Sequence, residues 1–307
     1  MNLAITGATG LLGNSIVEYF VKKGWQVFVL IKDEHSSLKL SDQTNKVYGN
    51  INSKSDVDFF VQKALPNYFV HLAAQTQAYD SLKYPYNTFY TNSVGTLNIL
   101  ESLREYSATK AIVVASSDKA YGELKGSEYL ESSPLDGIYP YDASKAITDI
   151  ICRSYRSTYS MPIVTTRACN IYGKKDYNQQ RLIPAIINAF KTGKPFVMRN
   201  SGDDIREYIH VDDVVKAYER ILDYISKGGV SESFNISSGE RLKTREVFQL
   251  IQNCVGGDIP LEVKSSNTKE IKKQFMNSDL LRSSTGWRPQ MSFQDSLGDI
   301  VDWYLKN

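Results

Sequence analysis

The sequence predicts an α/β fold in which helices cover both faces of a parallel sheet, with a smaller C-terminal lobe beside it. Short apolar runs rich in β-branched residues alternate with segments of helical period, which is typical of repeated strand–helix units. The run at residues 111–115 is continuous, as expected for a strand buried on both faces, and further largely apolar runs lie at residues 3–5, 26–30 and 68–72. At 307 residues, the chain is long enough for one large α/β unit and a second lobe.

Charge and composition argue against several classes of function. The 36 basic and 34 acidic side chains nearly balance, and no long run of like charge occurs, so we expect neither nucleic acid nor a membrane as partner. No apolar run approaches the roughly 18 residues of a membrane-spanning helix, and the N-terminus enters a strand without the features of a signal peptide. Cys152, Cys169 and Cys254 follow no metal-ligand or pairing pattern, so we expect no metal site and a reduced, cytoplasmic compartment.

The first strand leads into a glycine turn with the spacing Gly-x-x-Gly-x-x-Gly. Gly7 permits the tight turn, Gly10 lets the backbone approach a pyrophosphate, and Gly13 lets the following helix pack on the strand. That helix, predicted to run to about Lys22, supplies free N–H groups and a partial positive charge for the anion. The turn therefore predicts a doubly wound Rossmann sheet that binds a dinucleotide. Its predicted cofactor contacts are Gly7, Gly10, Leu11, Leu12 and Gly13.

The residue expected to hold the adenosine ribose follows the second strand, about 20 positions beyond the glycines. That place holds Ile31 and then Lys32, whereas a carboxylate would accept ribose hydroxyls and repel a 2′-phosphate. Lys32, assisted by Ser36 and Ser37, therefore favours NADP slightly over NAD. The alternative is an ordinary solvated lysine.

The next two strands supply further cofactor contacts. The third strand, predicted over 46–51, places two residues at the edge of the adenine. Small residues after the strand 68–72 let the backbone pass close to a flat cofactor. His71 lies within this apolar strand, and we interpret it as a core histidine rather than a catalytic one. The contacts added here are Asn50, Ile51, Leu72, Ala73 and Ala74.

Polar side chains leave the strand 111–115 together, as Ser116, Ser117, Asp118 and Lys119. In an open parallel sheet, ligands bind beyond the carboxyl ends of the strands. Two hydroxyls, a carboxylate and an amine at such a position predict a site, and the alternative is a polar turn that only caps the strand.

Tyr141 and Lys145 lie four residues apart in a predicted helix over about 141–159, with Pro140 at its start, so they share one helix face. A free phenol has a pKa near 10, and acid–base work at neutral pH favours a value near 7, a difference of about 4 kcal/mol. A neighbouring ammonium and an oxidised nicotinamide are cations of the kind that lower the pKa of a phenol. A chance helical pair is the alternative, and the glycine turn and Ser117 argue against it.

With the glycine turn, Ser117, Tyr141 and Lys145, the chain resembles the extended short-chain dehydrogenase/reductase family, whose members act on nucleotide-activated sugars. The resemblance implies that Ser117, Tyr141 and Lys145 are catalytic and that Tyr141 and Lys145 also contact the cofactor. It extends over essentially the whole chain through Asn-Ile-Tyr-Gly at 170–173, Arg-Glu-Tyr-Ile-His-Val-Asp-Asp at 206–213, Phe-Asn-Ile-Ser at 234–237 and Gly-Trp at 286–287.

The resemblance also implies that the substrate is a nucleotide-diphosphate sugar. Arg206 would bind its diphosphate, because a forked guanidinium suits phosphate geometry. The alternative for Arg206 is a surface ion pair with Glu207 or Asp204. The implied substrate contacts are Gln75, Asn170, Arg181 and Arg206, with Lys272 in the stretch 270–274 as a further nucleotide contact.

Two domains and a homodimer follow from the same resemblance. Family members commonly dimerise through two long helices, here at about 92–106 and 141–159. The implied domains are a dinucleotide-binding Rossmann domain, 1–166 with a returning segment at about 205–237, and a sugar-nucleotide-binding lobe, 167–204 and 238–307.

Asp118 and Lys119 separate the reactions that the family carries out. In its 4-epimerases the two residues after the catalytic serine are usually small or uncharged, whereas in its 4,6-dehydratases an acid and then a base follow. The stretch Ser-Asp-Lys-Ala-Tyr-Gly at 117–122 is most similar to the CDP-glucose 4,6-dehydratase branch. The implied reaction oxidises C4, removes water across C5 and C6, and reduces C6. It converts an NDP-hexose into an NDP-4-keto-6-deoxyhexose and regenerates a tightly bound NAD or NADP at each turnover.

The proposed acid and base impose opposite demands on neighbouring residues. Asp118 must keep its proton until the C6 hydroxyl leaves, and Lys119 must be neutral to take the C5 proton. An ion pair between them would stabilise the wrong form of each. Many dehydratases of the family carry glutamate in the second place, so Lys119 departs from the pattern on which its assignment as the base depends. The alternative reactions are 4-epimerisation and decarboxylation of a sugar nucleotide. A remoter alternative is a non-catalytic dinucleotide-binding sensor, against which the complete Ser–Tyr–Lys set and Arg206 argue.

Overall fold

The structure, a computed structural model, describes residues 1–33, 40–198, 201–264 and 271–307. Its strands are β1 (Asn2–Thr6), β2 (Gln26–Ile31), β3 (Asn45–Tyr48), β4 (Tyr68–His71), β5 (Ala111–Ala115), β6 (Ile163–Ala168), β7 (Asn170–Tyr172), β8 (Phe196–Met198), β9 (Ile205–His210), β10 (Ser233–Ile236), β11 (Arg241–Lys243) and β12 (Leu261–Val263). Its helices are α1 (Leu11–Lys22), α2 (Lys54–Ala64), α3 (Ala78–Lys83), α4 (Pro85–Phe89), α5 (Gly95–Tyr106), α6 (Pro140–Tyr159), α7 (Leu182–Thr192), α8 (Val211–Ser226), α9 (Thr244–Val255), α10 (Asp279–Thr285) and α11 (Phe293–Lys306). A π-helical segment (Tyr90–Val94) joins α4 to α5, and a 3₁₀ turn (Asp118–Tyr121) follows β5. None of the described helices has the length and apolar character needed to cross a membrane.

Seven strands form one sheet in the order β3-β2-β1-β4-β5-β6-β10. Each pair of neighbours in it is parallel. The order reverses between β1 and β4, because the chain runs outward from β1 to β3 and then crosses back to β4. Such a reversal opens a crevice at the carboxyl ends of the strands, where ligands of open α/β sheets bind. The predicted doubly wound Rossmann sheet is therefore confirmed.

Helices cover both faces of this sheet. Successive residues of each strand point to opposite faces, so each strand contributes apolar side chains to a cluster on either side. Leu3 and Ile5 of β1 lie in a buried cluster with apolar side chains of α1 and α8. Ala4, between them, lies in a second cluster with side chains of α2 and α5. In α1, Ile16 and Phe20 lie one turn apart on the buried face, and burying each such side chain contributes about 1.5–3 kcal/mol.

A third buried cluster brings together α7, α9 and α11 with side chains from β7, β8 and β9. Its strands belong to two small sheets, β11-β9-β7 and β12-β8. In the first of these, β7 pairs in parallel with β9, so that Asn170 lies opposite Tyr208. The limits of the two domains stay a prediction.

The structure differs from the sequence prediction in the region of the adenine. The pattern predicts a third strand over 46–51, but β3 ends at Tyr48. Asn50 turns the chain there, since its Oδ1 accepts from the backbone N–H of Asn52 at 3.0 Å and its own N–H donates to Asp56 Oδ2 at 2.9 Å. Asn50 and Ile51 therefore lie in a turn beyond the strand.

Candidate active site

The glycine turn between β1 and α1 lies directly against the end of β4. A Cβ on Gly7, whose φ is +74°, would lie 2.6 Å from the backbone nitrogen of Ala73. A Cβ on Gly13 would lie 2.1 Å from the carbonyl oxygen of Gly7. A Cβ on Gly10 would meet that same oxygen at 3.6 Å, which is an ordinary contact. Gly7 and Gly13 are thus required by the protein's own packing, whereas Gly10 leaves the backbone open to a ligand.

The N-terminus of α1 suits an anion. Gly10 caps the helix without a side-chain hydrogen bond, and the first turn of α1 carries no acidic residue. The first N–H groups of a helix have no partner within it and attract negative charge. Leu11 is buried and Leu12 packs against the core, so cofactor contacts there would come from their backbone. Together with the open glycine, these features fit the pyrophosphate of a dinucleotide.

The residues predicted to hold the adenosine lie at the ends of β2 and β3. Ile31 is buried, whereas Lys32 is exposed. Ser36 and Ser37, the predicted helpers of Lys32, lie outside the described residues. Ile51 is buried, and a Cβ on Gly95 of α5 would lie 2.6 Å from its Cδ1.

His71 is a core histidine, as predicted. Its Nδ1 lies 2.6 Å from Thr6 Oγ1, and its Nε2 lies 3.2 Å from Thr96 Oγ1. Burial lowers the pKa of His71 to about 3. Thr6 also accepts from the backbone N–H of Ala73 at 3.3 Å, so this histidine fixes the start of the predicted cofactor stretch, Leu72, Ala73 and Ala74.

Asn92, in the π-helical segment, connects the segment after β4 to α6 and was not among the predicted site residues. Its Oδ1 accepts from the N–H of Gln75 at 2.7 Å, and its Nδ2 donates to the carbonyl of Gln75 at 3.1 Å. The same nitrogen donates to Ser144 Oγ of α6 at 2.8 Å. The π-helical geometry is the structural signal, because such bulges are frequent at functional sites.

Ser117, Asp118 and Lys119 open the 3₁₀ turn at the carboxyl end of β5. Ser117 Oγ accepts from the N–H of Lys119 at 3.2 Å and donates to Asp118 Oδ1 at 3.0 Å. Ser117 and Asp118 are buried, and the amine of Lys119 donates to Gln274 Oε1 at 3.0 Å. Between these described side chains, Asp118 and Lys119 form no ion pair within 4 Å.

Tyr141 is the second residue of α6 and faces the Ser117 turn. Burial raises the pKa of Tyr141 to about 12, and a hydrogen bond with Ser117 acts in the lowering direction. The positive charge of Arg181 also acts to lower the pKa of Tyr141. In the protein alone the pKa of Tyr141 is therefore raised, whereas a base that acts at neutral pH requires a lowered pKa.

Lys145 lies one turn further along α6 and is buried. Its Nζ donates to the carbonyl of Ala115 at 2.7 Å, and Ser116 Oγ donates to the carbonyl of Lys145 at 3.2 Å. Burial lowers the pKa of Lys145 to about 8, partly opposed by the negative charge of Asp149. These bonds join α6 to the last residues of β5 and so bring Tyr141 and Lys145 to Ser117.

Arg206 and Asn170 lie on the neighbouring strands β9 and β7. Arg206 is buried, its Nη1 donates to the carbonyls of Ile205 and Lys272 at 3.1 Å, and its Nη2 lies 3.8 Å from Asp204 Oδ2. The alternative pairing with Asp204 is thus present, although the residue is not on the surface. Asn170 Nδ2 donates to the carbonyl of Glu207 at 3.0 Å.

Arg181 is the N-cap residue of α7 and remains partly exposed. Its Nη1 lies 3.2 Å from Asp176 Oδ2, and burial raises the pKa of that carboxyl. Lys272 is exposed, and residue 270 of the same predicted stretch lies outside the described residues.

A buried polar network lies beneath the 3₁₀ turn. Tyr121 Oη donates to Asn235 Oδ1 of β10 and accepts from Arg167 Nη1 of β6, both at 2.7 Å. Arg167 also pairs with Asp149 of α6 at 3.0 Å. The ring of Tyr121 stacks on that of Tyr129 with 4.6 Å between the centroids.

Known proteins of similar sequence and structure carry two activities in their names. A dTDP-glucose 4,6-dehydratase of Haemophilus influenzae is 28% identical over 340 residues, which cover 100% of this chain and 98% of the relative. The structure of a dTDP-glucose 4,6-dehydratase of Streptomyces venezuelae with NAD and TYD bound is 25% identical, with a TM-score of 0.91 and coverage of 100% of this chain and 98% of that one. The structure of a UDP-glucose 4-epimerase of Thermotoga maritima with UDP-glucose is also 25% identical, with a TM-score of 0.92 and coverage of 100% and 99%.

A family model agrees with these similarities. The model of the NAD dependent epimerase/dehydratase family matches residues 3–237, a range that holds the glycine turn, the Ser–Tyr–Lys set and Arg206. The resemblance to the extended short-chain dehydrogenase/reductase family is confirmed, and the chain belongs to the NAD dependent epimerase/dehydratase family.

Proposed function

We propose that the protein is a sugar-nucleotide 4,6-dehydratase, which converts an NDP-hexose into an NDP-4-keto-6-deoxyhexose. The observation that carries this proposal is the pair of residues after Ser117. A buried carboxyl group, Asp118, and an amine, Lys119, follow it in one turn and are bonded to different partners rather than to each other. A 4-epimerase needs no separate acid and base for the loss of water.

Ser117, Tyr141 and Lys145 would act at C4 of the sugar. Tyr141 takes the proton of the C4 hydroxyl, and Ser117 hydrogen-bonds both groups. The high pKa of Tyr141 in the protein alone means that added positive charge is required, and Lys145 supplies part of it while its own pKa stays above neutral. NAD, when bound, would supply the redox chemistry: the C4 hydrogen leaves with its bonding electron pair, as hydride, and the same hydride is later returned to C6.

Asp118 and Lys119 would carry out the elimination. Once C4 is a ketone, the proton on C5 is acidic, and Lys119 removes it. The electron pair of the C5–H bond forms the double bond between C5 and C6, and the C6–O bond breaks. Asp118 gives its proton to the leaving oxygen, which departs as water. When hydride is returned to C6, C5 takes back a proton from the Lys119 ammonium, which completes the 4-keto-6-deoxy sugar. The absence of an ion pair between these two described residues supports the assignment, because such a pair would hold Asp118 ionised and Lys119 protonated.

The sugar nucleotide would lie between the carboxyl ends of the sheet and the third cluster. Arg206 and Arg181 supply positive charge for the diphosphate, and Arg206 is already oriented by two backbone carbonyls. Gln75 and Asn170 lie on the segments after β4 and at β7, where they would contact the substrate. The predicted CDP-glucose branch stays a prediction, since the similar proteins named above carry dTDP and UDP.

NAD is the better supported cofactor. The family is described as NAD dependent, and the similar dehydratase structure holds NAD. The preference for NADP that Lys32 suggested finds no support in these names and stays a prediction. If Lys32 favours NADP, titration calorimetry should show that Lys32→Asp weakens the binding of NADP far more than the binding of NAD. Equal effects on the two cofactors would contradict this preference.

A homodimer through α5 and α6 is the quaternary structure that we propose. Leu97 of α5 and Ile150 of α6 are large apolar side chains that the isolated chain leaves exposed. Light scattering of the purified protein should give twice the mass of one chain, and Ile150→Glu should give the single mass. A wild-type chain of single mass would refute the dimer.

The decisive experiment is incubation of the protein with NAD and CDP-, dTDP-, UDP- and GDP-hexoses, followed by mass spectrometry and sugar analysis. A product lighter by one water supports the dehydratase. The second candidate is a 4-epimerase, favoured by the similarity to the Thermotoga maritima enzyme, and it would give unchanged mass with inverted C4. A protein that binds NAD and leaves each sugar unchanged would refute both and point to a non-catalytic sensor.

A further inference from the structure

Gln274 is the residue outside the predicted set that contacts the proposed base. Its Oε1 accepts from Lys119 Nζ at 3.0 Å, across 155 positions of sequence. The side chain of Gln274 is 1% exposed, and its Nε2 is buried with no hydrogen-bond partner in the described part of the chain. Leaving a buried amide N–H unpaired costs about 1–3 kcal/mol, so this nitrogen is suited to an acceptor that arrives with a ligand.

The backbone around Gln274 is held from two sides. On one side, the N–H of Ile205 donates to the carbonyl of Lys272 at 3.1 Å, and Arg206 Nη1 donates to the same oxygen at 3.1 Å. On the other side, the N–H of Tyr129 donates to the carbonyl of Phe275 at 2.7 Å. Gln274 therefore lies on a fixed segment between the proposed diphosphate contact and the catalytic turn.

An amide is the appropriate partner for an amine that must act as a base. A neutral amine has two N–H donors and one lone pair, so an N–H bond to the Gln274 carbonyl oxygen directs the lone pair elsewhere. A carboxylate in the same place would favour the ammonium form of Lys119, which has no lone pair to offer. An apolar residue would leave a long, flexible side chain without an orienting contact.

We propose that Gln274 is a positioning residue for the elimination, an inference that rests on the proposed dehydratase function. Its carbonyl oxygen orients the Lys119 amine toward C5. Its amide nitrogen donates to an oxygen of the bound sugar nucleotide, so that the amine is aligned when substrate is present. The proton taken from C5 goes to Lys119, and the electron pair goes into the C5–C6 double bond as the C6–O bond breaks.

Two variants of Gln274 test this role. Gln274→Leu removes both hydrogen bonds, and Gln274→Glu keeps an oxygen acceptor but holds Lys119 as an ammonium. Both are expected to form reduced nicotinamide in a single turnover at a rate within about threefold of wild type, because C4 oxidation does not use Lys119. Loss of water, followed by mass spectrometry, should fall about 10- to 100-fold, the order expected for a misplaced catalytic group. Gln290→Glu, an exposed glutamine bonded to backbone carbonyls, is the matched charge control and should change neither rate.

A double-mutant cycle with Lys119→Met separates positioning from general damage. If Gln274 acts through Lys119, Gln274→Leu should cause no further loss of elimination in the Lys119→Met protein. A further loss equal to that in the wild-type protein, or an equal fall in C4 oxidation, would overturn the inference, as would normal elimination in both Gln274 variants. Wild-type protein that removes no water from any hexose would overturn the proposed function together with this inference, so the two failures are distinguishable.

Discussion

The two ends of the 3₁₀ turn Asp118–Tyr121 are stabilised in opposite ways. At its last residue, the Tyr121 hydroxyl is satisfied by Asn235 and Arg167, and the ring is stacked on Tyr129. At its start, Lys119 bonds to an amide whose nitrogen has no partner among the described residues. Strong anchoring and unfilled hydrogen-bonding capacity thus lie within the same four-residue turn.

The difference shows how such a turn can hold reactive groups in place. A functional group must be fixed to within a fraction of an ångström, yet it needs free capacity to bind substrate. Here the fixing is done by Tyr121, below the site, and the free capacity belongs to the amide nitrogen of Gln274, the partner of Lys119. We therefore expect substitutions at the two ends to affect different measurements, activity at one end and stability at the other.

The largest effect is expected at the reactive end, from Asp118→Asn. The amide can accept from Ser117 as the carboxyl does, but it has no proton to give to the C6 hydroxyl. Water loss should fall about 10²- to 10⁴-fold, the usual range for a general acid, while C4 oxidation continues. Mass spectrometry and nicotinamide absorbance measure the two steps. Elimination at the normal rate would show that Asp118 is not the acid.

At the anchored end, Arg167→Met should mainly reduce stability. The substitution leaves the buried Asp149 without its cationic partner, and removing one member of a buried pair costs about 3–5 kcal/mol. Urea unfolding followed by circular dichroism gives the loss in the free energy of unfolding. Lys125→Met breaks an exposed pair with Asp136 and should leave the midpoint unchanged. If Arg167→Met unfolded at the wild-type urea concentration, the anchoring role of this network would be wrong.

Tyr121→Phe is a milder change at the same end. It keeps the stacked ring but removes the donor to Asn235, so a buried oxygen loses its partner. The free energy of unfolding should fall by about 1–3 kcal/mol. The water-loss rate of the folded protein at saturating substrate should stay within a few fold of wild type. If Tyr121→Phe lowered the rate of water elimination as much as Asp118→Asn and left the free energy of unfolding unchanged, the two ends of the turn would not differ in role.

Local patterns in the sequence predicted the glycine turn together with its flanking strand and helix. The glycine spacing and the flanking strand and helix lie within the first 22 residues, so a short stretch defines their geometry. Tyr141 and Lys145 are likewise linked by one helical turn. The third strand was mispredicted at its end because the side chain of Asn50 turns the chain, which an apolar pattern does not report.

Contacts between distant parts of the chain could not be predicted in the same way. Asn92 bonds to Ser144 across 52 positions, and Lys119 bonds to Gln274 across 155. Asn92 belongs to none of the motifs of the resemblance, and Gln274 ends the stretch 270–274 without a predicted role of its own. Their positions follow from how the segment after β4, the turn after β5, α6 and residues 271–277 pack together, which is tertiary information. Arg167 and Asp149 are similarly joined by the pairing of α6 with β6.

The last effect depends on pH and concerns Lys145, which joins α6 to β5 just before the turn. Its pKa is lowered by burial from 10.5 to about 8, so between these two pH values the unfolded chain binds more protons than the folded one. The free energy of unfolding therefore gains a contribution that rises with pH across this window, by at most about 1.4 kcal/mol per pH unit. Lys145→Met lacks the contribution, and groups that titrate in both proteins cancel in the difference. Urea unfolding of both proteins should be measured from pH 7.5 to 10 without cofactor. The free energy of unfolding of the wild type should increase relative to that of the variant as the pH rises. If the free energies of unfolding of the two proteins changed in parallel with pH, Lys145 would not be desolvated in the folded protein. The buried anchoring network would then include Tyr121 but not Lys145.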